Sequence, residues 1–163
     1  MPGLTWGEFE RERPELAKAG RELLSFYGPG LAFLSTVRPD GGPRLHPIAP
    51  LITDEALFGF LIPSPKLKDL RRDGRYALHS YGLPENEDAF YVTGGSELVE
   101  DPRRFEAAAA AFRAQPGLQG IPSDFAFAGQ TLVEFLLETC LVTRTTGHGD
   151  QKPQHTVWKA HQF

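Results

Sequence analysis

The residues best suited to chemistry lie in the stretch SPKLKDLRRDGR, which begins at Ser64 and carries five Lys or Arg against two Asp. Ser64 is a favoured helix N-cap, Pro65 suits the first helical position, and Gly74 suits the residue that ends a helix. Such a helix presents free N–H groups and the positive end of its dipole beside the Lys66 ammonium. The stretch therefore predicts a phosphate site. The alternative is a capped surface helix whose charges are solvated.

Polar side chains also interrupt the apolar segments on either side of this stretch. In PRLHPI, successive side chains point to opposite faces of a strand, with Arg44, His46 and Ile48 on one face and Leu45 and Pro47 on the other. In YALHS, the interruption is His79 and Ser80. A polar group in an apolar region needs water or a ligand, and imidazole titrates near neutrality, so His46 and His79 are candidate acid–base residues. Taken singly, each histidine is equally consistent with a surface or hydrogen-bonded position.

Prolines are concentrated in the first of these segments, at positions 43, 47 and 50. Proline has no backbone N–H and is normally excluded from a strand that is paired on both sides. One edge of this strand is therefore free for a ligand, or the prolines protect an exposed sheet edge from aggregation.

The rest of the chain predicts an α+β protein built on an antiparallel sheet. Capping signals indicate helices that begin at Trp6, Pro14 and Pro102. Six or so strands are expected to curl into a small barrel, from β-type segments at 31–37, 44–52, 56–62, 75–81, 89–100, 131–145 and 156–161. Gly94 and Gly95 predict a β-bulge in one of these strands.

Composition limits the function classes. The chain has 163 residues, 40% hydrophobic and 23% charged, which fits one soluble domain with N-terminal helices in 1–28 and a tail in 147–163. The net charge of −4 argues against nucleic-acid binding. No run reaches the roughly 18 apolar residues of a membrane span, and no signal peptide is evident, so a cytoplasmic protein is expected. The five histidines lack zinc-ligand spacing, so no metal site is expected.

Two stretches, LAFLSTVRPDGGPRLHPI and SPKLKDLRRDGRYALHS, resemble the pyridoxamine 5′-phosphate oxidase-like family of flavin-binding split barrels. The resemblance implies a six-stranded antiparallel split β-barrel with flanking helices. It also implies a homodimer with FMN in a cofactor cleft shared by the two subunits. The phosphate-binding segment of the family commonly reads Ser-Arg-Lys, and here the corresponding residues are Ser64, Pro65 and Lys66.

The resemblance also assigns residues to the cofactor. It places the FMN phosphate at Ser64 and Lys66 and the ring against residues 44–48, which favours ligand contact as the reason for the prolines. Arg44 is then expected near the ring, where a guanidinium stabilises reduced flavin, rather than solvated at the end of a turn. The expected cofactor-binding residues are Arg44, Leu45, His46, Pro47, Ile48, Ile62, Ser64, Lys66, His79 and Ser80.

The expected function is thus that of an FMN-dependent oxidoreductase acting on a small molecule that the sequence does not identify. The alternatives are a split barrel that binds a deazaflavin, one that binds haem through a histidine, and a non-catalytic dimeric flavin-binding module. Trp158 is expected to anchor either the core or the dimer, and in the expected dimer Trp158 and Phe163 supply apolar contacts from the C-terminal tail.

Overall fold

The computed structural model describes residues 3–116, 118 and 127–161. Its helices begin where the capping signals predict. Thr5 and Glu8 form the capping box of the first helix, and the side chains of Ser64 and Asp101 cap the third and fourth. The helices are α1 (Trp6–Glu12), α2 (Pro14–Leu24), α3 (Pro65–Arg72) and α4 (Pro102–Arg113).

The described strands form one curled antiparallel sheet. They are β1 (Ala32–Val37), β2 (Pro43–Ile48), β3 (Leu51–Ile52), β4 (Leu57–Leu61), β5 (Arg75–Ser80), β6 (Ala89–Leu98), β7 (Thr131–Phe135), β8 (Thr139–Arg144) and β9 (Gln154–Lys159). Their order is β2-β1-β5-β6-β7-β4-β3, with β8 also paired to β6 and β9 paired to β8. The predicted α+β antiparallel architecture is confirmed. The structure has nine strands where about six were predicted, partly because two predicted strands are each divided.

The first division falls at Ala49 and Pro50. The segment predicted as one strand forms β2, which pairs with β1, and β3, which pairs with β4 at the other end of the sheet. Pro50 cannot donate a ladder hydrogen bond, so the chain leaves one half of the sheet there and joins the other. The Pro50 carbonyl lies so close to Gly30 that a Cβ at Gly30 would be 2.0 Å from its oxygen.

The second division separates β7 from β8 within the segment predicted as one strand at 131–145. It also corrects the prediction of a β-bulge at Gly94 and Gly95. β6 pairs with β8 up to Thr93 and with β7 from Ser96 onwards, so Gly94 and Gly95 face Leu136, Leu137 and Glu138. Three residues between β7 and β8 therefore face two residues of β6. The extra residue of the bulge lies on the β7–β8 side and not in β6. The pairing of β5 with β6 continues without a break past the glycines.

Trp158 lies in the core, one of the two places expected for it. Its side chain is 5% exposed, its ring packs edge-on against Phe9 at 4.9 Å, and its Nε1–H donates to Glu12 Oε1 at 2.9 Å. Trp158 therefore joins β9 to α1 within one chain. Phe163, the other expected contact, lies outside the described residues. None of the helices in the described part of the chain is long and apolar enough to cross a membrane.

Candidate functional site

One cavity brings together four of the predicted cofactor-binding residues. It has a volume of about 280 Å³ and lies where the ends of β2 and β4 meet the beginning of α3. Pro47 and Ile48 come from β2, Ile62 follows β4, and Lys66 is the second residue of α3. Four residues that the resemblance assigns to the cofactor, from the two segments on which it rests, thus lie around one cavity.

The opposite wall is aromatic and was not predicted. Phe60 of β4, Phe112 of α4 and Phe127 line it. The ring centroids of Phe60 and Phe127 are 4.3 Å apart, and Phe112 meets Phe127 edge-on at 5.3 Å. Flat apolar walls of this kind suit a planar ring system. The only sequence signal was the phenylalanine content of residues 115–130, which does not say what those rings face.

Lys66 is the charged group of the cavity. Its side chain is 9% exposed, and no hydrogen bond or ion pair to it is found among the described residues. No other lining residue that the structure describes is ionisable. Burial disfavours the ammonium and lowers the pKa of Lys66. An ammonium at the border of an apolar cavity, without a described partner, can form a charge-assisted hydrogen bond with an anion there.

Ser64 caps the N-terminal end of α3, next to Lys66. Its hydroxyl accepts a hydrogen bond from the Leu67 N–H at 3.4 Å, and its carbonyl accepts one from the Lys68 N–H at 3.1 Å. The helix therefore begins at a defined point, with Lys66 in its first turn. Proline at the next position removes one donor that an anion could otherwise use.

Arg44 is held by a buried carboxylate, that of Asp69. Its Nε donates to Asp69 Oδ2 at 2.7 Å, and the Thr36 hydroxyl donates to the same oxygen at 2.7 Å. Arg72 donates to Asp69 Oδ1 at 3.3 Å. Burial raises the pKa of Asp69, but the hydrogen bonds from Arg44, Thr36 and Arg72 outweigh it, and the net pKa lies below its usual value. The network fastens α3, and with it Lys66, to β1 and β2.

β2 has one edge that is free among the described strands, which accounts for both of its prolines. Among the described strands it pairs only with β1. The Arg38 N–H donates to the Gly42 carbonyl at 2.8 Å. With the register of the hairpin, this bond shows which backbone groups of β2 point towards β1 and which point away. Pro43 and Pro47 fall where backbone groups turn away from β1, so neither removes a ladder bond. Between them, Leu45 presents its N–H on the free edge.

The predicted histidines lie outside the Lys66 cavity. His46 is exposed at the sheet edge, and its Nδ1 lies 3.1 Å from the Pro47 carbonyl. His79 lines a separate cavity of about 520 Å³, and its Nδ1 lies 2.6 Å from the Ser80 carbonyl. Because a carbonyl only accepts, Nδ1 carries the proton of each neutral ring and Nε2 is left as an acceptor. The Ser80 hydroxyl is buried and accepts from the Phe90 N–H at 3.0 Å, which gives it a structural partner.

The outer face of the sheet carries a row of mostly apolar side chains. The strand register makes them neighbours across six strands: Pro47, Phe33, His79, Tyr91, Leu141 and Val157. Val157 is 57% exposed, and Leu45, in the adjacent row, is 66% exposed. The Phe33 ring stacks on Tyr81 with centroids 4.5 Å apart. Apolar surfaces that extend over several strands are common where proteins associate.

No protein-family model and no curated protein matches the chain. It is similar to the structure of a haem-binding protein from Mycobacterium smegmatis, with 16% identity and a TM-score of 0.63, and the match covers 88% of this chain but 58% of that one. An F420 reductase has 22% identity and a TM-score of 0.54, with 74% and 94% covered.

A third similar structure is a Clostridium acetobutylicum protein related to general stress protein 26 of B. subtilis, of the pyridoxinephosphate oxidase family. It has 13% identity and a TM-score of 0.57, and the match covers 94% of this chain and 95% of that one. At these identities the similarity establishes the fold. The split-barrel fold that the resemblance implied is confirmed.

Proposed function

We propose that this split-barrel chain binds FMN and acts as a flavin-dependent oxidoreductase on a small-molecule substrate. The observation that carries the proposal is Lys66, whose largely buried side chain has no described partner and borders a cavity with aromatic walls. A ligand that combines an anionic group with a planar ring system satisfies both features. Bound FMN would supply the hydride or electron chemistry, while the protein holds and orients it.

Each wall has its own part in this proposal. Lys66 and the capped beginning of α3 hold the phosphate, because cations and helix N-termini stabilise anions. Phe60, Phe112 and Phe127 exclude water from the ring system. The free edge of β2 offers the Leu45 N–H between carbonyls, a pattern that can pair with the polar edge of a ring.

The described cavity is at the small end of the size range of ligand pockets. Ligand pockets measure roughly 300–1,000 Å³, and this one measures about 280 Å³. We therefore propose that a second copy of the chain completes the cleft. The apolar row on the outer sheet face supports a homodimer, because it includes Pro47, which also lines the cavity.

Charge reversal at Lys66 tests the cofactor site. Lys66→Glu places a carboxylate against the phosphate, so FMN affinity should fall at least tenfold, a loss of about 1.4 kcal/mol. Lys68→Glu is the matched control, because Lys68 makes the same charge change on the exposed side of the same helix. Equal FMN dissociation constants for wild type and a folded Lys66→Glu variant would remove α3 from the site.

The dimer has a separate test. Light scattering should give twice the 18.0 kDa of one chain. Val157→Asp should produce monomers and weaken FMN binding, because it places a charge in the apolar row. Thr156→Asp adds the same charge at the exposed neighbouring residue, on the other face of β9, and should leave the dimer intact. A wild-type monomer at micromolar concentration that binds FMN normally would contradict the shared cleft.

Haem binding is the second candidate, and His79 is the observation in its favour. Its Nδ1–H donates to a backbone carbonyl at 2.6 Å and leaves Nε2 free, the arrangement typical of histidines that bind a metal. The absorbance spectrum of the purified protein separates the candidates, since flavin, deazaflavin and haem have distinct bands. A haem band that disappears in His79→Ala and persists in Lys66→Glu would support haem and overturn the flavin proposal.

A further inference from the structure

A second cavity, of about 390 Å³, lies beside the crossing of the chain from β2 to β3. Its walls come from the end of α2 and the turn that follows it, from Pro50 and Ile52, and from the first residues after α4. The described linings of this cavity and of the Lys66 cavity share no residue. Its volume lies within the range of roughly 300–1,000 Å³ that ligand pockets occupy.

Gln115 carries an unused hydrogen-bond donor in the wall of this cavity. Its Oε1 accepts from the Gly30 N–H at 3.0 Å, and this bond fixes which side of the amide is the nitrogen. Nε2 is buried and makes no hydrogen bond with the residues that the structure describes. A buried donor without an acceptor is unfavourable, so a ligand that brings an oxygen to Nε2 would gain affinity from it.

Arg21 adds donors to the same lining. Its Nε and Nη2 donate to Glu10 at 2.9 and 3.1 Å, and Nη2 also donates to the Thr53 carbonyl at 3.0 Å. No described residue accepts from Nη1. Glu10 is not part of the lining, and none of the described lining residues is a carboxylate. The polar group that suits these donors is a carboxylate, which accepts through two oxygens and forms charge-assisted hydrogen bonds.

The remaining side chains of the lining are mostly apolar, with Leu24, Phe26 and Ile52 among them. The Phe26 side chain is 53% exposed, and its ring meets that of Tyr27 edge-on with centroids 5.0 Å apart. An exposed ring in the wall of a cavity gives a flat apolar molecule a surface to cover. An apolar cavity of about 150 Å³ holds one benzene molecule, so this cavity has room for a body of two rings.

We propose that this cavity is a second small-molecule site, which binds aromatic monocarboxylates. The carboxylate accepts hydrogen bonds from Gln115 and Arg21, and the rings cover Phe26 and Ile52. Binding is reversible and changes no covalent bond. The site goes beyond the proposed flavin function and does not depend on it, because the two cavities have separate linings.

A titration of the full chain with 1-naphthylacetate, followed by ¹H–¹⁵N NMR, tests the proposal. The side-chain amide signals of Gln115 should shift and saturate. Gln115→Glu keeps an oxygen for the Gly30 N–H but replaces the Nε2 donor by an acceptor, so the affinity should fall at least tenfold. Gln151→Glu is the matched control, because it makes the same change at an exposed residue and should bind as wild type does.

A second comparison needs no variant. The alcohol 2-(1-naphthyl)ethanol keeps the rings but lacks the carboxylate, and it should bind to wild type at least tenfold more weakly than the acid. Equal affinities for acid and alcohol, or no saturable binding of the acid at millimolar concentration, would overturn the proposal. So would equal affinities of wild type and a Gln115→Glu variant whose tryptophan fluorescence shows the native fold.

Lys66→Glu distinguishes this proposal from the flavin proposal. Naphthylacetate affinity should be the same in Lys66→Glu as in wild type, and its loss in the folded variant would place the acid in the Lys66 cavity and overturn the second site. Failure of the flavin proposal gives a different result: the FMN dissociation constant would be equal in the two chains, and the effect of Gln115→Glu on naphthylacetate would remain.

Discussion

Replacement of Asp69 by asparagine removes one negative charge from the network that fastens α3 to the sheet, with little change in shape. The carboxylate is 2% exposed and accepts from Thr36 and Arg44 at 2.7 Å and from Arg72 at 3.3 Å. In the variant, the amide oxygen can still accept from Thr36 and Arg44. The amide nitrogen then faces Arg72 donor to donor, so that contact is lost.

The magnitude follows from these contacts. A hydrogen bond to an ionised group contributes about 1.5–3 kcal/mol net, and the solvent access of Arg44 reduces the larger values. The Arg44 side chain is 30% exposed, and Arg72 is more exposed and also donates to the Val37 carbonyl. We expect Asp69→Asn to lower the free energy of unfolding by about 2 kcal/mol. Asp69→Ala should lower it by about 4 kcal/mol, because it also leaves buried donors without an acceptor.

Urea unfolding followed by tryptophan fluorescence measures these changes, since Trp6 and Trp158 are both buried. With a urea dependence of about 2 kcal/mol per molar, the midpoint for Asp69→Asn should fall by about 1 M. Asp40→Asn is the control, because Asp40 forms an exposed ion pair with Arg38 and its loss should change little. An Asp69→Asn midpoint equal to that of Asp40→Asn would refute the stabilising role of the network.

The pH dependence gives an independent test of the charge. The folded-state pKa of Asp69 lies below its ordinary value of 3.8, so its contribution is fully present above the unfolded pKa and is lost as pH falls through the folded pKa. The stability difference between wild type and Asp69→Asn should remain constant from neutrality to about pH 4. Below that pH, the stability difference should disappear as the carboxyl of Asp69 becomes protonated in the folded state. A difference that persists after the carboxyl is protonated would show that shape, not charge, is responsible.

Two further predictions concern the core and the strand pairing. Gly94→Ala should destabilise the fold by several times more than Gly95→Ala in urea unfolding, because a Cβ at Gly94 would lie 1.9 Å from the Leu136 carbonyl oxygen, whereas nothing lies within 4 Å of one at Gly95. Equal effects would contradict the close approach of the strands. Cys140 is buried, which raises the pKa of its thiol to about 12, so iodoacetamide should alkylate it only in urea. Rapid alkylation of the native chain would contradict its burial.

Several of the confirmed predictions depend on groups close together in the sequence. The capping box at Thr5, the proline at the start of α2 and the Ser64 cap of α3 each satisfy backbone donors within one helical turn. The prediction that the Pro-rich segment has a free edge also rests on local chemistry, since a proline lacks the N–H that a central strand would use. These features could be derived from residue types and short spacings alone.

The features that the sequence did not predict concern contacts between distant residues. Nothing near Arg44 in the sequence indicates its contact with Asp69, which is brought to it by the packing of α3 under β1. Trp158 was expected to anchor either the core or the dimer, and only the position of α1 shows that it completes the core.

The sequence by itself determined where the helices begin, which strand can occupy a sheet edge, and that Lys66 lies in the first turn of a helix. Tertiary structure alone decided that Lys66 would be buried and without a described partner, and that Phe112 and Phe127 would form the wall around it. The physical reason is the range of the interactions. Capping and turn formation satisfy hydrogen bonds within a few residues, whereas burial depends on which distant surfaces the folded chain places together.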